Sequence, residues 1–313
     1  MKESKHISVL LKETISFLRP KEGDVFVDGT LGLGGHAEAI LELIGKKGKY
    51  IALDRDPQAI KIAKDRLKKY KNMTVYQANF DQLKDVTAKE GLGKVDGILI
   101  DLGVSSLQID SEERGFSFKK SGPLDMRMGD SDITAADIVN EYSAEELTGI
   151  FRDFGEEKFA KQIAKKIVEK RKERRIENTL EFRDIVLSAL PEKYKSILKK
   201  DPATKVFQAL RVEVNEELEA LGGFLPQALS ILKKGGRLAV ISFHSLEDRI
   251  VKDFIRSQSR GCLCPRDFPV CRCGNKPKIK VIASKPVVPS EEEKKENPRS
   301  RSAKMRVMEK IAD

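Results

Sequence analysis

Short apolar runs and longer amphipathic stretches alternate along the first hundred residues of the chain. Val25-Phe26-Val27, Tyr50-Ile51-Ala52-Leu53, Met73–Gln77 and Val95–Asp101 read as strands. Between the early runs, Ile40, Leu41 and Ile44, and then Ile60, Ala63 and Leu67, recur at helical spacing. Pro57 stands at a first-turn position, where its missing N–H is harmless. From about residue 110 to 205 the strand signal disappears. Ser143-Ala-Glu-Glu146 is a capping box, Phe159, Ile163 and Ile167 keep a helical period, and Thr179 can cap a run through Leu190. Asp201-Pro202 opens what reads as one long helix, with Phe207, Leu210, Val214, Leu218 and Leu221 on one face. Strand character returns after Gly235-Gly236 in Arg237–Phe243, and Lys278–Ile282 with Met305–Glu309 can form a closing pair. The pattern predicts an α/β fold, a doubly wound sheet with one helical insertion after its fourth strand. The expected domains are 1–110 with 206–313 for the sheet and 111–205 for the inserted helices, the latter serving substrate recognition.

The chemistry concentrates where these strands end. The first closes on Asp28, and a turn containing Gly29, Gly32, Gly34 and Gly35 leads into His36 and a helix. Strand, glycine turn and helix N-terminus let a backbone approach a nucleotide closely. About twenty residues on, the second strand ends in Asp54, placed to accept from a ribose. Gly32-x-Gly34-x-x-Ala37 also fits the loose dinucleotide fingerprint, so NAD competes with S-adenosylmethionine. Two features favour the latter. Asp28 precedes the glycines, where a carboxylate can meet an ammonium that NAD lacks, and a third strand ends in Asp101. Each acid alone suits an ordinary strand-end turn; three at matching positions suit a cationic, amine-bearing ligand.

Charge and cysteine usage add partners to this picture. Lysine and arginine total 59 against 49 acids, a net of +10, which favours an anionic macromolecule. Lys165–Arg175 is the densest basic run, and the Arg299–Arg306 tail is a second. Phe116 and Phe118, in a glycine-flanked loop, and Phe243 with His244 suit either stacking on a base or anchoring by burial. With 35% charged residues and no apolar run of membrane-spanning length, the chain reads as cytoplasmic. Cys262-x-Cys264 and Cys271-x-Cys273 favour zinc over disulfides in that compartment, but their one-residue gaps are tighter than the usual two to four. On the sequence alone no metal is assigned.

Several strings together carry a family resemblance. They are Asp28-Gly-Thr-Leu-Gly-Leu-Gly-Gly-His36, Asp101-Leu-Gly-Val-Ser-Ser106, Gly115-Phe-Ser-Phe118, Gly122-Pro-Leu-Asp-Met-Arg127, Phe207-Gln-Ala-Leu-Arg-Val212, Ile241-Ser-Phe-His-Ser-Leu-Glu-Asp-Arg249 and Asn297-Pro-Arg-Ser-Arg-Ser302. The chain resembles the MraW/RsmH family of small-subunit ribosomal RNA methyltransferases, from His6-Ile-Ser-Val-Leu-Leu11 to Arg306. The resemblance implies a class I methyltransferase (Rossmann-like) sheet and S-adenosylmethionine as cofactor. It implies N4-methylation of a decoding-region cytosine, with small-subunit ribosomal RNA, presented by the assembled subunit, as partner. It also implies cofactor contacts at Gly34, Gly35, His36, Asp54, Phe80, Asp101 and Gln108. Many amino-methyltransferases follow the acid with Pro-Pro-aromatic, whereas Asp101 is followed by Leu-Gly-Val. Asp101 is the catalytic candidate, holding cofactor, accepting from the amine, or both, with Asp125, Ser105 and Ser106 as further candidates. A nicotinamide dehydrogenase fits less well, because none of the five tyrosines begins a Tyr-x-x-x-Lys pair. A non-catalytic RNA-binding protein would explain the charge but not the acid-ended strands.

Overall fold

The computed structural model describes residues 8–197, 201–262, 264, 270 and 272–312. The chain divides into two compact units, Met1–Gly103 with Leu218–Asp313, and Val104–Glu217. In chain order, α1 (Leu11–Leu18) precedes β1 (Val25–Asp28), α2 (Gly35–Ile44), β2 (Lys49–Asp54), α3 (Pro57–Arg66), β3 (Met73–Gln77), α4 (Leu83–Lys89) and β4 (Val95–Asp101). The second unit holds α5 (Ser106–Asp110), α6 (Ala135–Glu141), α7 (Ala144–Asp153), α8 (Ala160–Lys170), α9 (Thr179–Ser188), α10 (Glu192–Ile197) and α11 (Ala203–Asn215). The chain returns through α12 (Glu217–Ile231), β5 (Leu232–Ser242), α13 (Ser245–Gln258), β6 (Ile279–Val281), α14 (Glu291–Glu296) and β7 (Lys304–Lys310).

The seven strands lie in the order β3-β2-β1-β4-β5-β7-β6, with β7 antiparallel to both neighbours and the other pairings parallel. Strand alternation separates two cores. Val27, Ile51, Leu53, Ile98, Ile100, Leu238 and Val240 pack with residues of α4, α12 and α13. Their strand neighbours Phe26, Tyr50, Ala52, Leu99, Ala239 and Ile241 pack with residues of α1, α2 and α3. Burial on both faces explains why these strands read as continuous apolar runs. Each large apolar side chain so buried stabilises the unit by roughly 1.5–3 kcal/mol.

The helical unit has its own core, built from Phe151 of α7, Ile163 and Ile167 of α8, Phe182 and Val186 of α9, and Val206, Phe207 and Leu210 of α11. The buried face of α11 belongs to this core, which is why the unit runs to Glu217 and not to residue 205. Three local expectations change. Asn178 caps α9 by accepting from the Leu180 N–H, so Thr179 is its first helical residue. The helix expected through Leu221 is broken, because Glu216 takes a left-handed φ of 50° and α12 begins anew. The fifth strand starts at Leu232, and its pairing with β4 shifts register between Val95 and Gly97.

Candidate functional site

In the parallel register Asp28 sits opposite Ala52 and Leu99, so Asp54 and Asp101 each extend two residues past it on the flanking strands. All three acids fall on the same alternation as Phe26, Tyr50, Ala52 and Leu99, the side covered by α1–α3. The turn after Asp28 is fixed by short-range hydrogen bonds. The Thr30 N–H donates to Asp28 Oδ1 at 3.0 Å, and the Asp101 N–H donates to Thr30 Oγ1 at 2.6 Å. Thr30 thereby ties the end of β1 to the end of β4. The Gly32 N–H donates to Asp54 Oδ2 at 2.7 Å, which ties the same turn to β2.

Each acid has a different electrostatic setting. Asp28 is buried, and burial pushes its carboxyl up to about 6 although the Thr30 amide and the Tyr50 hydroxyl, 2.8 Å from Oδ2, pull it down. Asp54 is also raised by burial, opposed by the Asp56 and Gly32 amides. Asp101 stands well above the usual carboxylate range, first from burial and then from the negative charges of Asp28 and Glu247. Its Oδ1 is buried and accepts no hydrogen bond among the described residues. Such a carboxyl is basic and lacks a donor at one oxygen.

His36 lies in the first turn of α2 with Nε2 3.0 Å from the Val9 carbonyl. A carbonyl only accepts, so Nε2 carries a proton and donates; Nδ1 then lies 3.8 Å from Asp101 Oδ2. Gly34 adopts φ +80° as the residue before α2, and a Cβ there would meet Leu67 Cδ1 at 2.9 Å. A Cβ on Gly35 would stand 2.0 Å from Ser8 Oγ. Neighbouring protein atoms therefore crowd a Cβ at both positions, whatever the two glycines do for a ligand. Gly34→Val would test packing before it tested binding. Phe80 opens a short 3-10 turn, half-buried, with its ring edge-on to Phe224 at 5.6 Å between centroids. Packing alone accounts for part of that residue.

Three contributors escape a reading of the sequence. Thr30 could have been found from Asp-Gly-Thr, since an aspartate two residues before an amide forms a local turn. Tyr50 reads only as a strand residue. Glu247, buried on α13, accepts from the Phe243 and His244 amides at 2.8 and 3.1 Å and faces His244 Nε2 at 3.1 Å. It completes a capping box whose first residue is histidine in place of the usual Ser or Thr.

The model of the MraW methylase family matches residues 3–311. The chain is 50% identical over 309 residues to the ribosomal RNA small subunit methyltransferase H of Heliobacterium modesticaldum, covering 98% of each chain. It is 50% identical over 310 residues to the protein of the same name from Clostridium botulinum strain Loch Maree, covering 99% of this chain and 100% of that one. The chain belongs to the MraW methylase family. Its activity is accordingly methyl transfer from S-adenosylmethionine. Among solved structures it resembles a putative rRNA-methylase from Clostridium thermocellum, with a TM-score of 0.46 at 13% identity over 98% of this chain and 100% of that one.

Most of the other expected site residues of this MraW-family methylase lie in the helical unit and have local partners there. Gln108 is buried, accepts from the Ser105 N–H through Oε1 at 2.9 Å, and gives its own N–H to Ser105 Oγ at 3.2 Å. The two form a capping box at α5. Asp125 is pushed up by burial, yet the two-pronged Arg127 pair at 2.9 and 2.8 Å brings it below the usual carboxylate range. Phe118 meets Phe207 edge-on at 4.7 Å, and Phe116 also packs on the helical core, which is anchoring by burial. The basic run is largely engaged. Lys166 pairs with Glu169, Lys170 with Glu173, Arg174 with Glu181, and Arg175 with Asp137 and Glu141. Arg171 donates to the Val139 and Tyr142 carbonyls at 2.9 and 2.6 Å, closing the C-terminal end of α6. In the tail, Arg306 is held by Asp248 at 2.6 Å.

Proposed function

We propose that this protein methylates N4 of a specific cytosine in small-subunit ribosomal RNA, near the decoding region, and acts in the cytoplasm on the assembled small subunit. The family match and the relatives named small subunit methyltransferase H support the substrate class. The net charge of +10 suits an RNA partner, and the inserted helical unit is the part we assign to substrate recognition. Among the described residues no helix is long and apolar enough to cross a membrane.

The observation that carries the chemistry is Asp101 Oδ1, a buried acceptor without a hydrogen bond among the described residues. The donor set fits S-adenosylmethionine: three carboxyls, one buried and two half-buried, are all raised, and they favour a cationic ligand that lets them ionise. Asp54 would take the ribose hydroxyls on lone pairs left after its contacts with the Gly32, Arg55 and Asp56 amides. Gly34, Gly35 and His36 would border the cofactor along the turn, and Phe80 would flank the adenine. The family resemblance adds Gln108. When bound, the cofactor supplies a methyl group already activated on a sulfonium, so alignment contributes much of the acceleration. The exocyclic amine of cytosine is a poor nucleophile because its lone pair is delocalised into the ring. An acceptor at Asp101 Oδ1 would hold one N–H and favour a pyramidal nitrogen, and Asp101, ionised beside a cationic ligand, would take the amine proton as the methyl leaves sulfur for nitrogen.

Small subunits from cells lacking this protein, incubated with it and labelled S-adenosylmethionine, should acquire one methyl group on a cytosine N4. Naked ribosomal RNA should be the poorer acceptor. Mapping of the label to a ring carbon or a ribose oxygen would overturn the N4 assignment, and efficient methylation of naked RNA would overturn the assembled-subunit requirement.

A further inference from the structure

The segment joining α13 to β6, residues 259–278, carries all four cysteines of the chain. Its base is closed by the Lys278 N–H donating to the Gln258 carbonyl at 2.9 Å. Just inside, Asn275 Nδ2 donates to the Arg260 and Gly261 carbonyls at 3.0 and 2.6 Å and draws the two limbs together. The sulfurs of Cys262, Cys264 and Cys273 then all lie within 4.8 Å of one another. Cys273 Sγ is 3.8 Å from Cys262 Sγ. A disulfide needs about 2.05 Å. Four sulfurs at about 2.3 Å from a tetrahedral zinc are separated by roughly 3.8 Å. The Cys262–Cys273 separation therefore matches two ligands of a common ion, and Cys264 Sγ stays within 4.8 Å of both.

Backbone amides support the sulfurs at this place. The Cys264 N–H points at Cys262 Sγ at 3.4 Å, and the Arg272 N–H points at Cys264 Sγ at 3.3 Å. Amides aimed at sulfur fix its orientation, as groups behind a metal ligand do. Arg260, Arg272, Lys276 and Lys278 add positive charge along the same segment. The one-residue gaps, an objection in the bare sequence, do not keep the sulfurs of Cys262 and Cys264 from converging with that of Cys273. Cys271 lies outside the described residues.

We propose that Cys262, Cys264 and Cys273 supply three of the four ligands of one zinc ion, which clips this connection shut and has a structural role, the fourth position being taken by a further ligand or water. Each thiol gives its proton to solvent as it coordinates, so binding weakens toward acid pH. Clipping a long connection removes conformations available to the open loop, which is where such a tie stabilises most.

The full chain, purified without chelator from zinc-supplemented cells, should carry about one zinc per molecule by elemental analysis and native mass spectrometry. Cys262→Ser and Cys273→Ser should each lower zinc affinity at least roughly tenfold. Titration of the reduced, zinc-free parent protein with cobalt should give thiolate-to-metal charge-transfer absorption, a readout independent of whether the variants fold. Zinc-free protein with no such absorption would overturn the proposal. So would zinc content unchanged in both serine variants, or an intact mass showing these cysteines joined in a disulfide. None of these readouts depends on methyl transfer, so the metal site and the RNA activity stand or fall separately.

Discussion

Asp28 accepts from the Tyr50 hydroxyl and the Thr30 amide, yet it titrates at about 6 because burial outweighs both. A carboxyl raised above its unfolded value near 3.8 contributes stability that is complete below that value and is lost as pH rises through about 6. The ionised group therefore strains the free protein at neutral pH, by something on the order of 2–3 kcal/mol. Asparagine has the same shape and can reverse the Tyr50 hydrogen bond. In Asp28→Asn, the stability of the variant relative to the parent should climb between about pH 4 and pH 6 and level off above. Thermal denaturation across that range checks it, and a difference independent of pH would show that Asp28 is not the group that titrates. The same substitution should weaken S-adenosylmethionine binding at pH 8. A cationic ligand favours the carboxylate, so in the parent binding should release protons and weaken as pH falls below about 6. Calorimetry in buffers of different ionisation enthalpy reads that release, which should be smaller in the variant.

The break between α11 and α12 shows what apolar periodicity does and does not reveal about elements. Phe207, Leu210, Val214, Leu218 and Leu221 keep helical spacing straight through the break, so the pattern predicts one rod. The interruption comes from polar groups. Buried Asn215 gives Nδ2 to the Met126 and Arg211 carbonyls at 2.8 and 2.9 Å and takes the Met128 N–H on Oδ1 at 2.9 Å. Met126, held at φ 64°, belongs to the Gly122–Arg127 string that marks the family. Asn215→Ala would strand the Met128 amide and the Met126 carbonyl, at roughly 1–3 kcal/mol for each buried group left unsatisfied. The denaturation midpoint should fall, and the Met128 amide should lose protection from hydrogen exchange. An unchanged midpoint with full protection would mean that this loop does not depend on Asn215. By contrast, the strands ending in Asp28, Asp54 and Asp101 were legible, because burial on both faces writes itself directly into the sequence. The partners that set their protonation were not: Tyr50 and Glu247 reach the site from elements whose packing no local pattern encodes.

At the scale of the whole molecule, α/β alternation and the loss of strand signal made the sheet and its helical insertion legible, and the charge balance pointed to RNA without saying which cations meet it. Counting basic residues overstates the Lys165–Arg175 run, since most of its members already face carboxylates and Arg171 serves two helix-end carbonyls. Arg171→Ala should lower stability by removing those donors, so its effect on RNA binding would be uninterpretable. Lys165 and Lys172 are exposed members of the run, and they are the pair to change. If both reach phosphates, replacing them with alanine should reduce the logarithmic salt slope of small-subunit binding by about 0.7–0.9 for each phosphate no longer neutralised, with the denaturation midpoint unmoved. The measurement is affinity for small subunits across a salt series, parent against double variant. Parallel slopes would assign this end of α8 to solvent and shift the search to Arg299 and Arg301, which are exposed in the turn Pro298–Ser302 while Arg306 beyond them is tied to Asp248.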